Sequence, residues 1–206
     1  MGNSFNFLYK ILDNPYIYLF SQLILAPGSK MFIKRILNPL VTNMKPEQKI
    51  LDIGCGPNSI LNKYGISPDG VDISESYINL FNLNKCGKGY VSSSECLPFK
   101  SDLYDYIFSF GLLHHLSDES LCKTVGEMIR TAINGGVIII IDAVFPKSIW
   151  KNPHSYLVRK YDRGKYVRHQ HQQQNLLSKF GNWEITRHPY SFNGLELLLC
   201  ILIVKK

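Results

Sequence analysis

The sequence contains no apolar run of the roughly 18 residues that a membrane-spanning helix requires. Its longest apolar stretches, residues 137–141 and 195–204, have the length of buried strands. The N-terminus lacks a basic stretch followed by an apolar core, and Asn6 stands where a myristoylation signal requires serine or threonine. These absences predict a cytoplasmic protein without a transmembrane segment.

Cysteine is also scarce, and its spacing excludes two classes of small domain. The five cysteines are odd in number and widely separated, and no two of them form a Cys-x-x-Cys pair. Neither a disulfide framework nor a zinc site is indicated, so we expect reduced thiols and no bound metal. The cysteines are Cys55, Cys86, Cys96, Cys122 and Cys200.

Acidic residues are outnumbered, 16 against 23 lysines and arginines, which gives a net charge of +7. The whole surplus falls between residues 143 and 188, where the acidic residues are Asp162 and Glu184. A local surplus predicts an anionic partner near that segment, whereas an even distribution would indicate only solubility. The basic residues of the segment are Lys147, Lys151, Arg159, Lys160, Arg163, Lys165, Arg168, Lys179 and Arg187.

From residue 49 onward, short apolar runs alternate with stretches of helical periodicity. This alternation predicts an α/β fold with a parallel sheet and helices on both faces. The last two runs are separated only by residues 189–194, which suits a hairpin and an antiparallel strand at or near the sheet edge. The predicted strands are 49–53, 70–73, 89–92, 106–110, 136–142, 183–188 and 197–204. The predicted helices are 59–64, 74–83, 117–132 and 171–180.

The first forty residues have the pattern of helices that cover the sheet. Asn14 and Pro15 suit the start of one helix, and Ser29 suits the cap of a second helix that runs through Leu40. The segment is also rich in phenylalanine and tyrosine. We expect an N-terminal helical flap, and the alternative is a wall for an apolar substrate or a lipid surface.

The first predicted strand ends in the turn Asp52-Ile53-Gly54-Cys55-Gly56. Ligands of open α/β sheets bind beyond the carboxyl ends of the strands, and two glycines let the backbone approach a ligand closely. Asn58 stands where a third glycine often falls, and asparagine tolerates a positive φ. The second strand ends in Asp72, whose carboxylate can accept both ribose hydroxyls of an adenosine ligand.

A dinucleotide is the main alternative ligand for such a turn. The dinucleotide fingerprint requires glycine at the position of Ser59, and Asp52 would repel a pyrophosphate. Asp52 would instead suit a cationic sulfonium ligand that carries an amino group. After the third strand, residues 95–99 form a polar-then-apolar set that can flank an adenine ring. The ordered series, more than the glycine turn alone, favours the sulfonium ligand.

Five runs of the chain, in this order, resemble class I S-adenosylmethionine-dependent methyltransferases. The resemblance is closest to the branch that includes the quinone-biosynthesis methyltransferases and many small-molecule enzymes. It covers residues 49–142 firmly and the two C-terminal strands more loosely. It implies a Rossmann-like, seven-stranded, mostly parallel sheet with an antiparallel last strand, S-adenosylmethionine as cofactor and S-adenosylhomocysteine as product. The runs are ILDIGCG at 50–56, GVDIS at 70–74, LPF at 97–99, YDYI at 104–107 and GLLHHL at 111–116.

The resemblance also implies a division of the chain and a set of cofactor contacts. A single methyltransferase domain (1–206) would comprise an N-terminal helical cap (1–46), a cofactor-binding core (47–142), a substrate lid insertion (143–181) and a C-terminal strand hairpin (182–206). The implied contacts are Asp52, Gly54 and Gly56 at the methionine end, Asp72 at the ribose, Glu95, Cys96 and Leu97 around adenine, and Ser109, Phe110 and Gly111 beside the sulfonium. The further candidates are Cys55, Asn58, Ile73 and Ser93. Many relatives have aspartate at the position of Ser93, and serine accepts a hydrogen bond from the adenine amino group less strongly.

Two histidines, His114 and His115, follow the fourth strand near the expected methyl group. Histidine titrates in the range useful for a general base, which is needed when the nucleophile carries a proton of high pKa. Related enzymes that act on unlike substrates share the pair, so a structural role in the loop is the favoured interpretation. His114 is the candidate for a catalytic base.

The lid insertion carries the candidate acceptor-binding residues Arg159, Tyr161, Arg163, Tyr166 and Arg168. Arginines bind phosphate or carboxylate with paired donors, and tyrosines add flat walls. The alternative interpretation is a solvated helix face whose charges bind nothing.

These observations predict methyl transfer to an oxygen or nitrogen of a small, anionic acceptor, such as a sugar, a phosphate-bearing metabolite or a lipid-linked one. Nucleic acid is disfavoured, because residues 109–111 lack the Asn/Asp-Pro-Pro-Tyr turn of enzymes that methylate base amines. The alternatives are a non-catalytic protein that keeps the fold as a scaffold, an RNA methyltransferase and a nicotinamide-dependent oxidoreductase. Peripheral membrane contact stays open, and the sequence does not indicate an oligomeric state.

Overall fold

The computed structural model describes residues 26–42, 44–45, 47–84, 87–162 and 164–206. Within this part of the chain, seven strands form one sheet. Asn14, Pro15 and the rest of residues 1–25, which the sequence assigns to the helical flap, lie outside the described residues. The strands are β1 (Ile50–Ile53), β2 (Asp69–Asp72), β3 (Gly89–Val91), β4 (Tyr104–Phe110), β5 (Ala132–Ala143), β6 (Glu184–Pro189) and β7 (Glu196–Ile203).

The strand order is β3-β2-β1-β4-β5-β7-β6. The first five strands of this order pair in parallel, whereas β7 is antiparallel to both of its neighbours, β5 and β6. The Rossmann-like sheet with an antiparallel last strand is therefore confirmed. The order places β1 beside β4, so the carboxyl ends of β1, β2, β4 and β5 lie along one edge of the sheet, where ligands of such folds bind.

Helices pack on both faces of the sheet, as the alternation predicts. Successive residues of β5 alternate between two buried clusters, with Ile138 and Ile140 in one and Ile139 and Ile141 in the other. The helices are α1 (Ser29–Val41), α2 (Glu75–Leu83), α3 (Asp118–Thr131), α4 (Pro153–Lys160) and α5 (Gln170–Leu177), with shorter 3₁₀ turns at Ile60–Tyr64, Leu113–His115 and Ser178–Phe180. The first cluster includes residues of α3 and α5, and the second includes residues of α1.

The start of α3 shows why these sequences form helices. Ser117 caps the helix, because its hydroxyl accepts a hydrogen bond from the backbone N–H of Ser120 at 3.2 Å. Asp118 and Glu119 occupy the first turn, where negative charge is favourable. The apolar stripe of Leu121, Val125 and Met128 is then buried against the sheet.

Two local predictions need correction. Ser29 is the first residue of α1 and not its cap, because the cap position is Gly28 with φ 80°. The sequence pattern also gave no helix at α4. Among the described residues, Ser155 and Arg159 are the ones that α4 buries, so its inner face lacks the apolar periodicity by which helices are recognised.

No helix of the described part is long and apolar enough to cross a membrane.

Candidate functional site

The glycine turn after β1 leaves open space at the sheet edge. Gly54 and Gly56 adopt φ values of 74° and 60°, a region that other residues rarely enter. The N–H of Gly54 donates to the carbonyl of Val71 at 2.8 Å, which holds the turn against the end of β2. A Cβ atom built on Gly56 would meet no atom within 4 Å, so the backbone there is accessible to a ligand.

Asp52 lies under this turn as a buried carboxyl group. One oxygen, Oδ2, accepts a hydrogen bond from the hydroxyl of Ser59 at 2.5 Å. The other, Oδ1, has no hydrogen-bond partner among the described residues. Burial raises the pKa of Asp52 to about 7; the bond from Ser59 opposes that shift, and the negative charge of Asp72 adds to it.

Asp72 ends β2 with its carboxylate turned toward the glycine turn. Its Oδ2 accepts from the N–H of Gly56 at 3.0 Å, and its Oδ1 accepts from the N–H of Ser74 at 2.9 Å. The next side chain, Ile73, is 78% exposed, which is unusual for isoleucine. A partly exposed carboxylate beside an uncovered apolar side chain matches the ribose and adenine ends of an adenosine ligand.

The loop after β3 closes on the same edge. The N–H of Ser92 donates to the backbone carbonyl of Asp72 at 3.1 Å, which ties the start of this loop to the end of β2. Ser93 accepts from the N–H of Glu95 through its hydroxyl, at 3.2 Å, and from the N–H of Cys96 through its carbonyl, at 3.2 Å. The predicted adenine segment is therefore a tight turn, in which the side chain of Ser93 caps its own loop.

These features test whether the site fits S-adenosylmethionine. An orphaned carboxylate oxygen, buried at Asp52, suits the cationic amino group of the methionine end. The open backbone at Gly56 leaves room for the ligand, and Asp72 stands at the next strand end, where ribose hydroxyls bind in such folds. The residues present fit the cofactor.

Three residues that were predicted to contact the cofactor instead use their side chains in contacts within the protein. Cys55 is buried beside Gly70 and Phe81, where a Cβ atom on Gly70 would lie 2.8 Å from the Cys55 sulfur. The Ser109 hydroxyl donates to the carbonyl of Ile53 at 2.9 Å and ties β4 to β1. Phe110 packs in the buried cluster that contains α1.

Asn58 does not use the positive φ that asparagine would tolerate in place of a third glycine. Among the residues that the structure describes, Asp102 is the one non-glycine residue with positive φ. The chain after the turn instead enters the 3₁₀ turn 60–64, which Ser59 caps by accepting from the N–H of Leu61 at 3.2 Å.

His114 lies just beyond the carboxyl end of β4 and is paired with a buried acid that the sequence did not single out. Its Nδ1 is 2.5 Å from Oδ1 of Asp142, near the carboxyl end of β5. The same carboxylate accepts hydrogen bonds from the backbone N–H groups of Leu113, of His114 at 3.2 Å and of Ala143 at 2.5 Å. The sequence could have indicated Asp142, because it is an acidic residue near the end of β5, which runs parallel to β4.

The two partners shift each other's pKa in opposite directions. Burial lowers the pKa of His114, but the charge of Asp142 and its hydrogen bond outweigh burial and raise it above the ordinary value. Burial would raise the pKa of Asp142, but the interactions with His114 and with backbone N–H groups lower it. Asp142 is therefore ionised, and it fixes Nδ1 of His114 as the nitrogen that carries a proton.

The second nitrogen of His114 faces residues that follow α4. Its Nε2 is 3.7 Å from Oδ1 of Asp162, and Oδ2 of Asp162 is 3.3 Å from Nη1 of Arg159. A Cβ atom on Gly164 would lie 2.0 Å from Cδ2 of His114, so glycine is needed for this close approach. On the other side, a Cβ atom on Gly111 would lie 3.6 Å from Cε1 of the ring.

We call residues 159–162 and 164–168 the strap, because they hold the His114 loop in place. Arg168 is 6% exposed and donates to the carbonyls of Leu113 and Leu116 at 3.0 and 2.7 Å, and to Oδ1 of Asp118 at 2.6 Å. The N–H of Tyr166 donates to the carbonyl of His114 at 2.9 Å.

The acceptor-binding candidates therefore differ in what their side chains do. Arg159, 7% exposed, donates to the carbonyl of Glu196 at 2.9 Å in addition to its ion pair with Asp162. The donors of Arg168 are likewise used within the protein. Tyr161 and Tyr166 are exposed, and Arg163 lies outside the described residues. In this geometry the two described arginines support the strap and the His114 loop.

Comparison with known proteins adds independent findings. A family model described as a methyltransferase domain matches residues 51–140. The chain is 28% identical over 113 residues to ajmaline N-methyltransferase of Rauvolfia serpentina, over 48% of this chain and 38% of that protein. It is 33% identical over 96 residues to tRNA (carboxymethyluridine(34)-5-O)-methyltransferase of Arabidopsis thaliana, over 44% of this chain and 23% of that protein. The chain thus spans less than half the length of these curated relatives.

Solved structures show the same fold. A SAM-dependent methyltransferase from Methanosarcina mazei superposes with a TM-score of 0.63, over 82% of this chain and 98% of that one. The two sequences are 16% identical, so this likeness concerns the fold alone. The matched family model assigns residues 51–140 to a methyltransferase domain, which agrees with the fit of the glycine turn to S-adenosylmethionine.

Proposed function

We propose that this chain transfers a methyl group from S-adenosylmethionine to an oxygen or nitrogen of a small, anionic acceptor. The observation that carries the proposal is the position of the His114–Asp142 pair beside the glycine turn. β1 and β4 are neighbours in the sheet, and a Cβ atom on Gly54 would lie 3.1 Å from the side chain of Leu112, two residues before His114. A potential base and a potential donor site thus share one edge of the sheet.

The chain's residues would bind and orient the cofactor. Asp52 and the backbone of Gly56 would hold the methionine end, Asp72 the ribose hydroxyls, and the loop at 93–97 the adenine ring. When bound, S-adenosylmethionine supplies a methyl group that its sulfonium has already activated. The protein then has to align the acceptor in line with that group and exclude water.

His114 would act as a general base on an acceptor hydroxyl or amine. Because Nδ1 donates to Asp142, Nε2 is the nitrogen that can take the acceptor's proton. Asp162, 3.7 Å from Nε2, can hold the resulting imidazolium by its charge. The proton thus passes from the acceptor atom to Nε2 of His114, and Asp142 keeps the ring in the required orientation.

The preference for an anionic acceptor rests on exposed lysines near this edge. Lys147 and Lys151 precede α4, Lys160 ends it, Lys165 lies in the strap, and all four are exposed. A concentrated positive field raises the local concentration of anionic ligands.

RNA is a second candidate acceptor, which two observations favour. The relative from Arabidopsis is named as a tRNA methyltransferase. In this chain Trp150 is 92% exposed next to Lys151, and exposed aromatic rings beside cations can stack on unpaired bases.

Calorimetric titration with S-adenosylhomocysteine tests the donor site. We expect binding by the unmutated chain and a loss of roughly tenfold to a hundredfold in affinity for Asp72→Ala, because hydrogen bonds to a charged group are worth about 1.5–3 kcal/mol. Glu184→Ala, at an exposed carboxylate of the edge strand β6, is the matched control and should bind normally. Absence of binding by the unmutated chain would overturn the proposed function.

A transfer assay with labelled methyl donor tests the acceptor. The panel should contain phosphorylated sugars, amino alcohols, their unphosphorylated counterparts and bulk tRNA. Transfer to phosphorylated small molecules supports the main proposal. Transfer to tRNA alone would replace it with the second candidate.

A further inference from the structure

A concave region of about 300 Å³ lies near the carboxyl ends of β5 and β6. Lys147, His169, His171 and Arg187 line it, together with the amide side chains of Gln170 and Gln174. Four of these six side chains are cationic or become cationic on protonation. No acidic residue lines the region among the described residues.

Hydrogen bonds hold the guanidinium of Arg187 through two of its three nitrogens, Nε and Nη1. Its Nη1 donates to Oε2 of Glu196 at 2.6 Å and to the carbonyl of Phe145 at 3.2 Å, and its Nε donates to Oε1 of Gln170 at 3.1 Å. Nη2 has no hydrogen-bond partner within the described ranges. The guanidinium is thus fixed in orientation, and a donor remains for a ligand.

The two histidine rings lie near Arg187, whose guanidinium would repel a protonated ring there. The ring of His169 stacks on Phe145 at a centroid distance of 4.9 Å and on His171 at 5.8 Å. Burial lowers the pKa of His169, and His171 and Arg187 lower it further. An anion among these groups would relieve their mutual repulsion.

This region is directly connected to the His114 loop. The N–H of Phe145 donates to the carbonyl of Arg168 at 3.1 Å, and the side chain of Arg168 donates to Leu113 and Leu116 on either side of the histidine pair. His169 is the next residue along the chain. The cationic region and the His114 loop thus both adjoin Arg168 of the strap.

We propose that Lys147, His169, His171 and Arg187 form an anion-binding subsite that holds a phosphate group of the methyl acceptor. This inference rests on the proposed function and deepens it: the acceptor carries its phosphate at a distance from the atom that is methylated. Paired and point-charge donors of this kind bind phosphate oxygens. The subsite takes over the role that the sequence gave to Arg159 and Arg168.

Inorganic phosphate is the probe for the subsite, followed by NMR of the histidine ring protons. We expect saturable binding that raises the pKa of His169 toward its ordinary value. Lys147→Gln combined with His171→Gln should weaken phosphate binding at least tenfold. The matched control, Lys49→Gln with His154→Gln, removes one exposed lysine and one exposed histidine that do not line the region, and it should leave binding unchanged.

Equal phosphate affinity in the unmutated chain and in the Lys147/His171 variant would overturn the subsite. S-adenosylhomocysteine affinity, measured on the same samples, should be unaffected by either pair of substitutions. If phosphate binds as expected while S-adenosylhomocysteine does not bind at all, the subsite stands and the proposed function fails.

A sedimentation assay distinguishes the two sources of phosphate. Vesicles with about a third of anionic phospholipid, compared with neutral vesicles, report whether a lipid headgroup enters the subsite. Sedimentation that the Lys147/His171 variant loses and the control keeps assigns the subsite to a lipid-linked acceptor. Phosphate binding without sedimentation assigns it to a free metabolite.

Discussion

Asp52 combines two properties at the scale of a single residue, an oxygen without a partner and a pKa of about 7. A cationic amino group placed against it would stabilise the ionised carboxylate and return the pKa toward its ordinary value. We therefore expect binding of S-adenosylhomocysteine at about pH 6.5 to release protons, since most of the free protein holds Asp52 protonated there.

Calorimetry in two buffers of different ionisation enthalpy measures this release. The apparent enthalpy should differ between the buffers for the unmutated chain and should not differ for Asp52→Asn. Equal enthalpies for the unmutated chain would show that the ligand does not change the ionisation of Asp52.

His114 sets the expected pH dependence of the reaction. A base must be neutral to accept a proton, and Asp142 and Asp162 raise the pKa of His114. The value of kcat/KM should therefore fall as the pH drops through that pKa, at a pH above the ordinary midpoint of about 6.5. Asp162→Asn removes one of the two negative charges and should move this limb to lower pH, without changing the affinity for S-adenosylhomocysteine.

The control for this shift is Asp102→Asn, which removes an exposed charge outside the site. His114→Asn should lower kcat by roughly a hundredfold or more, the usual contribution of a general base. Two results together would assign His114 a purely structural role. The acidic fall of kcat/KM would occur at the same pH in Asp162→Asn as in the unmutated chain, and kcat would be close to normal in His114→Asn.

At the scale of elements, the strap and the His114 loop pack as one unit. Gly164→Ala would bring a methyl group 2.0 Å from Cδ2 and 2.5 Å from the carbonyl oxygen of His114, so the strap has to shift. Misplacement of a catalytic group by about 1 Å can cost about a hundredfold in rate. We expect kcat to fall at least tenfold, with S-adenosylhomocysteine affinity preserved.

Gly126→Ala in α3 is the control, because a Cβ atom there would meet nothing within 4 Å and alanine favours helix. Its activity should be normal and its stability equal or higher. A normal kcat in Gly164→Ala would contradict the prediction, because it would show that the strap can shift without displacing His114.

Elements with an apolar period could be predicted from the sequence, and elements held by polar contacts could not. The strands around the turn at Gly54 follow from short apolar runs, and Asp52 and Asp72 follow from their places at strand ends. In contrast, α4 buries Arg159 and Ser155, and β5 starts at Ala132, before its apolar run, because it continues directly from α3.

The same distinction explains which parts of the candidate site could be predicted from the sequence. The link between His114 and Asp142 depends on how β4 and β5 align, and their register is fixed by packing across the whole sheet. The burial of Arg159 and Arg168 depends on the path of the strap, for which the sequence offered only a run of charges. The position of a charge along the chain does not reveal which charges are used inside the protein.

At the scale of the whole molecule, contacts between segments that are distant along the chain predict one cooperative unit. β7 pairs with β5, and Arg168 of the strap is bonded to the loop after β4. We expect urea unfolding to give a single transition with the same midpoint by far-ultraviolet circular dichroism and by tryptophan fluorescence.

Trp150→Phe makes this measurement specific, because it removes the exposed tryptophan and leaves Trp183, which packs against the core next to β6. The fluorescence then reports the C-terminal hairpin, and the circular dichroism reports all helices and strands. Midpoints that differ would mean that the hairpin unfolds as a separate unit.

The bonds from the strap to the loop after β4 bear on how such enzymes diversify. A segment that contacts the acceptor can change freely between relatives only if the catalytic residue does not move with it. Here Gly164 and Arg168 contact the His114 loop, so a grafted segment without both contacts would displace His114. Exchange of acceptor range by recombination would therefore have to transfer residues 111–118 together with residues 159–168, as one inherited block.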